Sequence, residues 1–180
     1  MELREAIETR RSVRRFTEEK ISHELFEEII DLAKKAPSWK NTQTLRYMLI
    51  QDEALIEKIG QECMLGFEYN TKTLSNCKNL VLLTQKNRIC GYERDGSFST
   101  SKEDGWEMFD AGIAASTFCL AAHDKGIGSV IMGIFDDAKI AEVVKLPEGM
   151  TVAAVIPVGI PKFTPDATPR KETSELVTYL

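Results

Sequence analysis

Apolar positions spaced three and four apart open the chain at Leu3, Ala6 and Ile7 and predict a short helix there. The same spacing returns more strongly at Leu25, Ile29, Leu32, Ala33 and Ala36, after Ser22 as a candidate N-cap and up to Pro37 as a stop. Two short apolar runs, Leu45 to Gln51 and Asn79 to Gln85, lack that spacing and are bounded by polar residues. They predict strands in a sheet covered on both faces. Between them Leu55, Ile59 and Cys63 form another helical stripe. Residues 88–104 are polar and glycine-bearing with no sustained period, which predicts a surface loop or lid.

The clearest helix is predicted from about Gly105 to Lys125, with Trp106, Phe109, Ile113, Thr117, Leu120 and Ala121 on one stripe and Gly126 as its stop. A short strand near Ser129 to Gly133 follows, then a helix opened by Asp136 or Asp137 and ended before Pro147, then a strand through TVAAVIPVG. Strands therefore alternate with helices. With 180 residues, 43% of them hydrophobic, the chain suits one core, and we expect one domain over residues 1–180. After Gly159 three prolines predict an extended arm that does not pack as a helix. Its last residues, Leu176, Val177, Tyr179 and Leu180, are too apolar for a free tail and are expected to add a strand to a sheet edge, of this chain or of a second subunit.

Charge narrows the partners. Acidic residues outnumber basic ones 28 to 23, for a formal charge of −5, which argues against general affinity for nucleic acid or an anionic membrane. No apolar run reaches the ~18 residues of a membrane span, and the opening MELREAIETRRS lacks the apolar region of a secretory signal. A cytoplasmic location is expected. Cys63, Cys77, Cys90 and Cys119 form no CxxC pair and have only His23 and His123 beside them in type, so reduced structural thiols are expected and no metal site.

Against that acidic background, Arg10, Arg11, Arg14 and Arg15 fall within six residues, beside Ser12. Such crowding suits a bound phosphate, whose oxygens match guanidinium forks, or else forms a solvated basic end to the first helix. The turn Pro37-Ser38-Trp39-Lys40-Asn41-Thr42-Gln43 offers hydroxyl, amide and indole donors to a ligand, or is a turn that bonds its own backbone. Gly126 to Gly133 either lets the backbone approach a flat ligand or is a helix stop followed by a strand; it is not GxGxxG. Arg170 and Lys171 form a last basic pair.

Together, in this order, these segments resemble the flavin-dependent nitroreductase family. RRSVRRF is similar to its phosphate-binding opening, APSWKNTQTLRYMLI to its A-P-S-x-x-N-x-Q-P-W segment, DAGIAASTFCLAAHDKGIGSVIMGIFD to its central helix and flavin-edge strand, and VGIPKFTPDATPRK to its closing arm. The resemblance implies an α+β fold, a three-layer α-β-α sandwich with a central mixed sheet, forming a homodimer with exchanged C-terminal arms and two FMN sites at the interface. It implies that Arg10, Ser12 and Arg14, with Arg11 beside them, hold the FMN phosphate and ribityl chain, joined by Arg170 or Lys171. Ser38, Asn41 and Gln43 match flavin contacts within the Pro37 turn, Ser38 and Asn41 coming from the neighbouring subunit. Met132 and Gly133 match backbone donors near flavin N5 and O4. Trp39, Trp106 and Phe109 are pocket walls or core.

The implied activity is hydride transfer from NAD(P)H through FMN to a small electron-poor acceptor, a nitroaromatic or a quinone, by a ping-pong cycle. No side chain need act as a nucleophile. Reductive dehalogenation of a dedicated metabolite, or flavin binding without catalysis, are the alternatives. Three departures stand out: Thr44-Leu45 replaces Pro-Trp, residues 61–78 show no matching polar contact to the flavin ring, and residues 88–105 fit no subtype.

Overall fold

A computed structural model describes all residues, 1–180. Its elements are α1 (Leu3–Thr9), α2 (His23–Ala33), a short 3-10 turn (Trp39–Asn41), β1 (Leu45–Ile50), α3 (Glu53–Glu62), α4 (Glu68–Leu74), β2 (Asn79–Lys86), α5 (Gly105–Asp124), β3 (Gly128–Ser129), α6 (Asp137–Val143), β4 (Met150–Gly159) and α7 (Thr173–Leu176). The helix starts follow from their caps. Ser22 Oγ accepts from Leu25 N–H at 3.1 Å, Asp52 from Ala54 and Leu55, and Asp136, rather than Asp137, from Lys139 N–H at 2.9 Å.

The strands pair in the order β1-β2-β4-β3, all antiparallel. A parallel component comes from the bridge between Ser12 and Ser129. Strand periodicity sorts the side chains into two cores. Val81, Leu83, Ala154, Ile156 and Val158 meet α2 and α5 on one face, around a buried Phe118. On the other face Leu80, Leu82, Val152 and Val155 meet Ile56, Ile59, Leu74 and Ile140 of α3, α4 and α6. This is the expected three-layer sandwich. The change of phase between Val152 and Ala154 coincides with a register shift against β2 at Leu83/Thr84.

Three expectations need correction. First, the strand expected over 129–133 is reduced to β3 and an isolated bridge at Met132–Val155, because its partner at Val130 is Pro157. That pair should exchange two hydrogen bonds, but proline has no N–H to give, and Val130 N–H reaches Pro157 O at a long 3.4 Å. Second, the stripe of α5 containing Phe109 and Ile113 is not its buried face; Ala111, Ala114, Ala115, Phe118, Cys119 and Ala122 are buried, whereas Met108 and Phe109 are more than half exposed. The helix is apolar on both sides. Third, the arm does contain a helical turn, α7, closed by reciprocal bonds between Glu172 and Glu175 beyond the last proline. Its apolar end joins no sheet within this chain, and every residue from Asp166 on is exposed. No helix is long and apolar enough to cross a membrane.

Candidate functional site

The segment after α1 is laid along the outer edge of β3. Val13 N–H donates to Ser129 O at 2.9 Å, and Gly128 permits the approach, since a Cβ there would lie 2.8 Å from Val13. This brings Arg10 and Ser12 beside Ser129 and Cys119 in a cavity of about 230 Å³ that continues to Val130 and Ile131. The Arg10 guanidinium and the Ser12 hydroxyl make no hydrogen bond within the chain. Arg11 donates to the Glu8 and Arg10 carbonyls and leaves its buried Nε unpaired; Arg14 reaches the Ser12 carbonyl at 3.3 Å. The Arg10 guanidinium, free of partners in the cavity wall, is available to an anion.

The same cations act on their neighbours. Burial, then Arg10 and Arg11, hold the His123 imidazole below its ordinary value; His123 Nε2 lies 2.8 Å from Thr9 Oγ1. Burial pushes the Cys119 thiol up, so it stays protonated in the cavity wall.

The outward amides of this edge follow from register. Met132 and Val155 bond to each other in both directions, 2.9 Å and 3.3 Å, so Met132 N–H is committed to β4 and is not available as the expected ligand donor. Because a peptide is planar and trans, the Met132 carbonyl facing Val155 turns Gly133 N–H the opposite way. Neither Gly133 nor Ile134 N–H has a partner in the chain, and the flank of Gly133 is open, with nothing within 4 Å of a Cβ placed there. Ile131 and Phe135 N–H are likewise unbonded, so of the two donors that sequence reasoning gave, Gly133 is free and Met132 is not. From Ser129 to Gly133 the edge runs roughly 13 Å at strand rise.

The second group of expected residues lies elsewhere. Pro37, Ser38 and Gln43 line a cavity of about 630 Å³ between α2 and β1 that shares no residue with the Arg10 cavity. Lys40, Asn41 and Gln43 all have left-handed backbones (φ 45°, 56° and 50°), a conformation that costs a non-glycine residue ~1–3 kcal/mol and clusters at functional sites. Ser38 Oγ accepts from Gln43 N–H at 3.1 Å and closes the turn. The Trp39 ring lies against Trp106, centroids 4.7 Å apart and tilted by 43°, with its buried indole N–H unpaired; the Trp39 backbone N–H donates to Asp110 Oδ2 at 2.8 Å, and the buried Asp110 also accepts from Cys90. Sequence reasoning missed Asp110, and also Glu107, which burial pushes up and which accepts from Arg88 N–H at the base of the 88–104 loop. Arg170 bonds Thr168 within its own turn at 2.6 Å, and neither it nor Lys171 lines a cavity with Arg10. Arg170 makes no hydrogen bond to the Arg10 segment within this chain.

An edge that is cationic at one end and carries free amides at the other suits an elongated ligand with a phosphate and a flat polar ring. The sequence profile of the nitroreductase family matches residues 7–160, and the chain belongs to that family. An Archaeoglobus fulgidus protein provisionally named NADH dehydrogenase/NAD(P)H nitroreductase is 29% identical over 89% of this chain and 86% of its own. Iodotyrosine deiodinase of Thermotoga neapolitana is 26% identical over 91% of this chain and 90% of its own. The crystal structure of a nitroreductase-family protein from Streptococcus pneumoniae TIGR4 superposes with a TM-score of 0.86 over 99% of this chain and 100% of that one, at 18% identity.

Proposed function

We propose that this chain is an FMN-dependent oxidoreductase, acting as a cytoplasmic homodimer that takes hydride from NADH or NADPH and passes it to a small electron-poor acceptor such as a nitroaromatic or a quinone. The observation that carries the reading is the β3 edge, with unpaired Arg10 and Ser12 at one end and the free amides of Gly133 and Ile134 beside open space at the other. FMN fits this donor set, and when bound it supplies the hydride chemistry itself.

The chain's own residues then have distinct tasks. Arg10 and Arg14 neutralise the phosphate, with Ser12 as a donor beside them. Gly133 N–H, already turned outward by the bond of the Met132 carbonyl to β4, and Ile134 N–H beside it hold the ring edge and favour negative charge there. The protonated Cys119 thiol lines the cavity without competing as a nucleophile.

A second copy completes the site. The outward face of α5, with Met108, Phe109, Gly112 and Ile113, is apolar, unpartnered and continuous with the Arg10 cavity through Ser116. Covering it would bring Ser38, Asn41 and Gln43 of the second copy to the flavin, and would give the exposed arm, with Arg170 and Lys171, a surface to follow. The name of the Thermotoga relative favours one further reading, reductive dehalogenation at the same site.

Absorbance of the purified protein, release of its chromophore, and NAD(P)H oxidation with menadione, nitrofurazone or an iodophenol test the reading together. A yellow protein that releases FMN and turns over by ping-pong kinetics is expected. A colourless protein that takes up no added FMN would refute it, and a flavoprotein inert to reduced nicotinamide would leave a binding protein instead.

A further inference from the structure

Asp110 is a buried carboxylate that the proposed chemistry does not use. It sits in the second turn of α5, is only 2% exposed, and belongs to no ion pair. One oxygen, Oδ2, accepts both from the Trp39 backbone N–H at 2.8 Å and from the Cys90 thiol at 3.2 Å. Burial, with Asp110 beside it, pushes that thiol up to about 12, so it stays protonated and remains a donor. A buried carboxylate without a cation is costly, and an apolar side chain would suit the helix better. What the carboxylate serves lies outside α5.

It lies in the Pro37–Gln43 turn. Trp39 N–H belongs to the Ser38–Trp39 peptide, and because a peptide is planar the Asp110 bond orients the whole unit. The other side of that unit is the Ser38 carbonyl, which accepts from Asn41 N–H at 3.0 Å. Thr42 N–H bonds Trp39 O at 2.8 Å, and Gln43 N–H bonds Ser38 Oγ at 3.1 Å. Those three bonds stay inside the turn. Its left-handed residues, Lys40, Asn41 and Gln43, give it a strained backbone that has to be held from outside. The Trp39 amide is where that backbone is bonded to α5. The turn's other ties to α5 and the 88–104 loop run through side chains, the tilted contact of Trp39 with Trp106 and the exposed pair of Lys40 with Glu93.

We infer that Asp110 is a positioning residue for flavin binding, holding the Ser38–Trp39 peptide so that the turn presents Asn41 to the cofactor. The inference rests on the flavin reading above, in which this turn reaches the flavin. Through Cys90 the same oxygen fastens the start of the 88–104 loop to α5.

The test is a double-substitution cycle read as the FMN affinity of apo protein. Asn41→Ala removes a side chain that bonds nothing in its own chain, and Asp110→Leu keeps similar volume while removing the acceptor. Each alone should weaken FMN about tenfold, and the two together no more than Asp110→Leu does, because a displaced turn has no Asn41 contact left to lose. Losses that multiply to about a hundredfold would show that Asp110 acts elsewhere and would overturn the inference while leaving the flavin reading intact. Wild-type affinity in either single variant would overturn it as well, whatever the Tm. A wild-type protein that takes up no FMN would overturn both.

Asp110→Asn separates the hydrogen bond from the charge. Its amide oxygen can still accept from Trp39 N–H, so FMN affinity should stay within about threefold of wild type. A tenfold loss there would contradict the role. If the leucine variant fails to fold, Asp110→Ala carries the same cycle, since it adds no volume and opens onto the cavity that Asp110 lines with Ser38 and Gln43.

Discussion

The two halves of the candidate site are built by opposite means. The β3 edge obtains its geometry from the sheet: Val13 bonds Ser129, Met132 bonds Val155, and the donors left over are the ones that point outward. The Pro37–Gln43 turn holds a strained backbone, with three left-handed residues fastened by the Ser38 hydroxyl, the Asp110 carboxylate and the tilted contact of Trp39 with Trp106. The first half presents a cavity within its own chain. The second opens into a different cavity, and its Asn41 side chain bonds nothing. On the proposed dimer reading, halves that lie in separate cavities of one chain meet when two copies exchange them.

The sharpest way to break that comparison is to keep the copies apart. Gly112 lies on the outward face of α5 with nothing within 4 Å of a Cβ placed there. Gly112→Glu therefore leaves the single chain undisturbed but buries an unpaired charge in the proposed interface, at a cost of ~3–5 kcal/mol. Sedimentation should show monomer, and FMN should be lost from both sites; a dimeric yellow variant would put the interface elsewhere.

Next in size is the phosphate end. Replacing Arg10 and Arg14 together with Ala removes two charge-assisted contacts of ~1.5–3 kcal/mol each, or roughly 100- to 10,000-fold in FMN affinity. Equilibrium titration of apo protein reads this directly, and undiminished affinity would displace the phosphate from the arginine cluster.

A smaller effect is expected at the ring end. Gly133→Ala meets no atom of its own chain, so Tm should hold or rise slightly, while FMN affinity drops about tenfold as the methyl enters the space claimed for the ring. A fall in Tm with unchanged affinity would show that the open flank serves the fold.

The smallest effect is a pH dependence. His123 is held below the ordinary imidazole value by burial and by Arg10 and Arg11, so the unfolded chain takes up a proton before the folded one does. Apo protein should therefore lose stability as pH falls through the ordinary imidazole range toward the lowered value. A phosphate on the arginines offsets their field and raises the imidazole again. FMN binding should then take up a proton and tighten at lower pH by less than about tenfold, and His123→Ala should abolish the trend. A wild-type affinity flat across that range would separate His123 from the anion.

Much of the scaffold was legible because local signals and burial agreed. Ser22, Gly126 and one of Asp136 and Asp137 mark helix ends in the sequence, and Ser22, Gly126 and Asp136 do so in the fold. The failures have physical reasons. Helix α4 escaped notice because EYNTKTL buries only Asn70, Thr73 and Leu74 and shows no apolar stripe. The buried side of α5 could not be chosen because small and large apolar residues surround it, and the tight side took the alanines. Donor identity at Gly133 and Ile134 depends on which amides β4 consumes, a matter of register that one strand cannot announce. Pro157 was visible, but its effect on β3 became so only once the pairing with Val130 was known. The site was legible as a set of segments, with Ser38 and Asn41 already assigned to a neighbouring subunit through the family resemblance; which amides of the edge stay free was not.

Mixed dimers test the exchange most directly. A chain carrying Arg10→Ala and Arg14→Ala and a chain carrying Ser38→Ala and Asn41→Ala should each bind FMN poorly alone. When the two are unfolded together and refolded, each mixed dimer gains one site with an intact β3 edge from one chain and an intact turn from the other. Flavin should return to half of the sites in the mixed dimers. No recovery of flavin, from two variants shown to dimerise, would mean that both halves come from one chain and would contradict the account.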